Sequence, residues 1–266
     1  ARFIFGAPIA AILLFILLTN FDYPLPNTQA KFFLYCAMGG IAQILATILT
    51  IKIFEKRNFS IGIIFTKTEV IQTAIVGFLF LGESLSAYGA LAILISFLGL
   101  IFLSRPKKLS NPTSISKYFN QTSLIGLGAG AFFGFSAVGY RAASLSLIDG
   151  NFIIRAATTL AFVTIFQATL MACWLTISNR KEAYKTIILW RISGLVGIFG
   201  ILGSYCWFMA FTLQNAAYVR AVGQIELVFT FIGSYFFFKE KHTKLEILGI
   251  NLIIISLVIL LSSLEF

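Results

Sequence analysis

Phe65-Thr-Lys-Thr-Glu69-Val-Ile-Gln-Thr-Ala-Ile-Val-Gly-Phe-Leu-Phe-Leu-Gly-Glu83 returns 157 positions later as Val222-Gly-Gln-Ile-Glu226-Leu-Val-Phe-Thr-Phe-Ile-Gly-Ser-Tyr-Phe-Phe-Phe-Lys-Glu240. Without a gap, Glu69 falls on Glu226, Thr73 on Thr230, Phe80 on Phe237 and Glu83 on Glu240. The register extends outward, with Gly40 on Gly197, Phe54 on Phe211 and Ile93 on Ile250. An acid, a hydroxyl and a boundary acid held in one frame mark an internal duplication.

The solvent follows from composition. Apolar residues make up 59% of the chain, charged residues 11%, and the mean hydropathy is +0.93. Soluble domains carry about 25% charged residues. Apolar runs of roughly 20 residues, each able to cross about 30 Å of hydrocarbon, follow one another along the chain. Spans are expected near residues 1–19, 31–53, 59–81, 87–104, 122–147, 152–178, 187–212, 217–238 and 246–264. These runs lack the alternation of a barrel strand, so helix is the expected spanning form. The fold class is all-α, a polytopic membrane protein.

Nine spans sit awkwardly on a duplicated chain. Arg2 opens the first span much as Arg155 opens the sixth, and the sixth has another span before it. The sequence therefore leads us to expect ten helices natively, with nine visible and the first missing. Residues 1–104 would form an N-terminal repeat (helices two to five of ten), 105–121 a cytoplasmic linker, and 122–266 a C-terminal repeat of five helices.

With alternating spans, 15 of the 20 basic residues fall on one side and only Lys31 on the other. The positive-inside rule makes the basic side cytoplasmic and places the C-terminus outside. The two halves carry opposite charge bias in corresponding loops: Lys52 to Asn58 is basic, Leu213 to Ala216 is uncharged. Such halves are expected to be inverted, giving two inverted five-helix repeats, an architecture of many secondary transporters.

The stretch Leu79-Phe-Leu-Gly-Glu83-Ser-Leu-Ser, followed by Gly89 and Gly99, resembles the EamA repeat of the drug/metabolite transporter superfamily. Phe236-Phe-Phe-Lys-Glu240 with Gly249 matches it more loosely. The resemblance covers both halves and implies a transporter of amino acids, related metabolites or drugs, often working as an exporter in the bacterial inner membrane. The family often has Pro one residue after the positions of Glu69 and Glu226. Here Val70 and Leu227 stand there, so the sequence gives no ground to expect a helix break.

Glu69 and Glu226 lie about ten residues inside their spans, about 15 Å deep. An acid at the membrane centre costs at least ~2.5 kcal/mol, so it normally faces a cavity or a partner. Such a site suits a carboxyl that gains and loses a proton during transport. Lys67 is two residues from Glu69 and points ~200° away around the helix, so it snorkels, lines a cavity or pairs with an acid elsewhere. Arg220, Gln224 and Tyr218 precede Glu226 and are the candidate substrate-holding residues. Gln43 and Trp207 complete the candidate set, though Gln43 equally suits an interhelical hydrogen bond. The expected cavity lies among spans 31–53, 59–81, 187–212 and 217–238. Gly130 and Gly134 have the spacing of a packing face, and Gly194, Gly197, Gly200 and Gly203 suggest another.

Enzyme signatures are missing from the sequence. His242 is the single histidine, which leaves no His-based metal site or triad, and no phosphate-binding glycine loop is present. Cys36, Cys173 and Cys206 read as free packing thiols. No cofactor is implied. The basic residues are dispersed over membrane loops and do not form a nucleic-acid surface; the lipid bilayer and a small-molecule substrate are the expected partners, with protons as candidate coupling ion. Two other readings stand beside metabolite transport: a proton-coupled multidrug exporter of organic cations, and a non-transporting membrane scaffold. Substrate, stoichiometry and oligomeric state are not legible in the sequence.

Overall fold

The computed structural model describes residues 2–56, 59–103, 121–178, 184, 188, 190–237, 239 and 242–263. Most of the expected linker, Glu240 and the last residues of the C-terminus lie outside them. Among the described residues there is no strand. The helices are α1 (Arg2–Asn20), α2 (Ala30–Phe54), α3 (Phe59–Thr66), α4 (Glu69–Leu81), α5 (Ala87–Leu103), α6 (Gln121–Leu145), α7 (Phe152–Ser178), α8 (Trp190–Leu213), α9 (Ala216–Gly223), α10 (Ile225–Phe236) and α11 (Lys244–Ser262). Among the described residues, eight stretches are long and apolar enough to cross a membrane, two of which, Gly62–Leu81 and Ala216–Phe236, run across a break. The shorter α5 has 17 residues, about 26 Å of helix. Phe15, Phe78, Phe229 and many other large apolar side chains point outward, as a hydrocarbon solvent allows. The chain is a multi-pass membrane protein.

The breaks correct the sequence expectation. One unbroken helix was expected over 59–81 and another over 217–238. Instead α3 ends at Thr66 and α9 at Gly223, and the starts, Phe59 and Ala216, are also 157 apart. At each joint the backbone tightens to i→i+3 bonding. The Thr68 N–H donates to Phe65 O at 3.3 Å, and the Gln224 N–H donates to Ala221 O at 3.1 Å. Thr68 has φ −65° and ψ −6°, Gln224 φ −65° and ψ −9°. A short 3₁₀ turn breaks a helix without proline, because it only shifts the bonding partner by one residue.

The duplication governs the other end as well. Gly82 caps α4 with φ +66°, its N–H and that of Glu83 returning to Phe78 O and Gly77 O. This is the left-handed C-terminal cap that favours glycine. Its counterpart 157 residues on is Lys239, with φ +52°. A non-glycine residue there costs roughly 1–2 kcal/mol, partly offset by the smaller unfolded-state entropy of a side chain. Lys239→Gly should therefore stabilise by about 0.5 kcal/mol and raise the melting temperature by about 1–2 °C, as thermal unfolding in detergent would read.

Tertiary contacts divide the chain into two units, each drawing on both sequence repeats: Ala1–Ile44 with Phe135–Gln214, and Leu45–Gly134 with Asn215–Phe266. In the first, α1 packs on α7 and α8, with Leu17, Ile154 and Ala157 at its centre. Arg141 donates to Phe211 O at 2.7 Å and Gln214 O at 2.6 Å, satisfying carbonyls at the end of α8. Arg155 donates to Ser144 O at 2.9 Å, which ties α7 to the end of α6. The glycines of α8 do not form one smooth face. Gly197 lies against Phe5 of α1, while Gly194 and Gly203 meet nothing within 4 Å. Three-residue steps at 100° per residue walk around the helix, so positions nine apart face opposite ways.

In the second unit α5 lies against α11, α9 against α4, and α10 against α11. Gly99 and Gly249 let α5 and α11 meet backbone to backbone. The Gly130 and Gly134 spacing does mark a packing face. A Cβ at Gly130 would stand 2.9 Å from Thr66 O, and one at Gly134 3.1 Å from Thr73 N. The smooth side of α6 thus rests on the α3–α4 joint.

Candidate functional site

Each joint delivers an acid into the first turn of the helix that follows. Glu69 opens α4 and Glu226 is the second residue of α10, where unpaired N–H groups and the helix dipole favour negative charge. Thr73 Oγ1 donates to Glu69 O at 2.6 Å, and Thr230 Oγ1 to Glu226 O at 2.7 Å. The two copies therefore build the same local frame around each acid.

The bases that meet these acids are exchanged between copies. Lys67, inside the first joint, pairs with Glu226 on α10. Arg220 on α9 reaches Glu69 at 3.8 Å. Of the openings left by the sequence for Lys67, pairing with an acid on another helix is the one observed. The four charges cancel. They differ in exposure, however. The side chains of Arg220 and Glu69 are 15% and 12% exposed, those of Lys67 and Glu226 19% and 56%. Arg220 is further held by Phe133, donating to its carbonyl at 3.4 Å and lying over its ring at 5.7 Å.

The other expected site residues are engaged differently. Gln224 is 4% exposed and accepts a hydrogen bond from the Ser96 hydroxyl. Tyr218 OH accepts from the Ser86 N–H at 2.7 Å and donates to Ser86 Oγ at 3.2 Å, anchoring α9 beside the start of α5. Both sit in the second unit's interior around Val70, Ala92 and Ala217. Gln43 and Trp207 belong to the first unit. Gln43 accepts from Tyr140 OH and, at 3.1 Å, from Gln167 Nε2, which also donates to Gly40 O at 3.0 Å. Gln43, Thr164, Gln167 and Ser204 line a cavity of about 20 Å³, room for about one water. Trp207 packs its ring on Phe211 at 5.7 Å.

Four residues escaped sequence reasoning: Ser96, Gln72, Ser234 and Glu246. Ser96 is, with Tyr88, one of two polar side chains in the otherwise apolar α5, and that isolation was a usable signal. Gln72 donates to Thr68 Oγ1 at 2.8 Å while its buried Oε1 has no partner. Ser234, His242 and Glu246 also come together around the single histidine. His242 Nε2 lies 3.0 Å from Ser234 Oγ and Nδ1 3.5 Å from Glu246 Oε2, with the ring stacked on Phe231. Ser234 also donates to Phe231 O, and Glu246 accepts from the Thr243 N–H in a capping box. These bonds tie α10 to α11. Among the described residues no cluster of His, Cys, Asp and Glu could hold a metal.

A family model described as the EamA-like transporter family matches residues 1–105 and 121–262. No curated protein matches the chain. A crystal structure of another protein superposes with a TM-score of 0.56 at 8% sequence identity, covering 97% of this chain and 95% of that one. At that identity the likeness is one of fold.

Proposed function

Because the chain belongs to the EamA-like transporter family, we propose that it is a secondary active transporter. In this reading it moves a small metabolite, an amino acid or related compound, out across the bacterial inner membrane by alternating access. Its basic loops lie in the cytoplasm, and protons are the coupling ion. The observation that carries the reading is the pair of equivalent acids at two breaks, each matched by a base from the other copy. Charged groups inside a membrane are costly and usually mark an ion or substrate path. Discontinuous helices supply backbone groups to such a path.

Glu226 is the exchangeable carboxylate and Glu69 its buried counterpart; Lys67 and Arg220 supply positive charge for an anionic end of the substrate. Tyr218 and Gln224 hold the segment around them in place. The test is flux into proteoliposomes of the full-length protein, across a panel of amino acids, nucleoside-like metabolites and lipophilic cations. Losing one charge-assisted bond of 1.5–3 kcal/mol slows transport about 10- to 150-fold, so Glu226→Gln should reduce the initial rate by at least about tenfold. Flux unchanged in both Glu226→Gln and Glu69→Gln would assign the acids to helix packing and leave transport to other residues.

A further inference from the structure

We propose that the Lys67 ammonium is a tethered occupant of the Glu226 carboxylate, which any cationic ligand of that carboxylate must displace. The inference rests on the reading of Glu226 as an exchangeable site. It comes from the inequality of the two crossed ion pairs.

Glu69 is a poor place for exchange. It is shut in, and its partner Arg220 is itself fixed by the Phe133 carbonyl and ring. A planar guanidinium held at several points does not swing away easily. Glu226 is more than half exposed. Its partner sits in the two-residue joint between α3 and α4, outside regular helix. A lysine there is a compact charge on a flexible four-carbon stem. Its ammonium makes one hydrogen bond, to the Glu226 carboxylate.

The duplication isolates this device to one copy. The residue equivalent to Lys67 is Gln224, which is buried and engaged with Ser96. The residue equivalent to Arg220 is Ile63. Glu226 therefore faces a cation from its sister joint that is hydrogen-bonded to it alone, whereas Glu69 faces one that Phe133 also holds, from the helix before the other joint. Two acids and two bases cancel, so an incoming cation meets a cluster already neutral. Removing the Lys67 charge leaves the cluster at −1 and the exposed carboxylate open.

The experiment is equilibrium binding of tetraphenylphosphonium, a monovalent lipophilic cation, to the full-length protein in detergent. Lys67→Gln should bind it about fivefold more tightly than the unaltered chain, the scale of one partly exposed ion pair. Lys67→Arg, which grips a carboxylate with a fork, should bind it more weakly than the unaltered chain. Loss of fold would weaken binding in both variants, so opposite shifts cannot come from misfolding. Glu226→Gln should bind weakly with or without Lys67. The proposal is overturned if Lys67→Gln binds the cation no more tightly, fails to bind it, or retains its gain in the Glu226→Gln background. Flux in proteoliposomes separates the two readings: tighter binding without flux removes the transport function and leaves the tethered lysine standing.

Discussion

Arg220→Met should destabilise the protein by about 3–5 kcal/mol, the cost of leaving a buried charge without its partner. Glu69 is 12% exposed and has Arg220 as its ion-pair partner, so the substitution strands a carboxylate in an interior that resists charge. The matching change at the other pair, Lys67→Met, should cost under about 1 kcal/mol, because Glu226 stands largely open. Adding Glu69→Gln to Arg220→Met should recover much of the loss, since no unmatched charge then remains. A double-mutant cycle by thermal or denaturant unfolding in detergent measures all three. Equal losses at the two pairs would show that exposure does not rank them, and would remove the basis for treating Glu226 as the exchangeable acid.

Gly249→Leu should cost more than about 3 kcal/mol and reduce the amount of folded protein recovered from membranes. The reason is backbone against backbone. A Cβ at Gly249 would stand 2.7 Å from the Leu103 N and 3.2 Å from its Cα; one at Gly99 would stand 2.7 Å from Gly249 O and 2.9 Å from Ile253 Cγ1. No rotamer change moves a main-chain nitrogen, so α5 and α11 would have to separate along their shared face. Gly203→Ala is the control, because nothing lies within 4 Å of that position. There the better helix propensity of alanine should make the change neutral or stabilising by up to about 1 kcal/mol. Melting temperatures of the two variants, side by side, distinguish contact from composition.

Much of the fold is written in local terms, and those terms were legible. Apolar run length located the long apolar helices among the described residues, and the recurrence of Glu69 at Glu226 marked the two equivalent acids. The joints were not legible. The usual signal for a broken helix is a proline, and Val70 and Leu227 supply none; a 3₁₀ turn at Thr68 and Gln224 leaves no compositional trace. The crossed pairing was beyond any local count, since Lys67 and Glu226 are separated by 159 positions. Tyr218 and Gln224 show the opposite difficulty. Polar side chains near an acid resemble a binding surface in sequence, while here the Tyr218 hydroxyl satisfies the Ser86 backbone and Gln224 meets Ser96.

The exchange of partners between copies has a bearing on inheritance. Each half of the chain carries an acid whose neutralising base is encoded in the other half. Once Lys67 and Arg220 stood opposite these acids, a change in one segment would surface as a mismatch in its sibling. Positions 67, 69, 220 and 226 form a single heritable unit spread over two separated stretches of gene. Substitutions there should travel in compensating pairs, 67 with 226 and 69 with 220, so that covariation among descendants would trace the crossing long after other similarity between the halves had decayed.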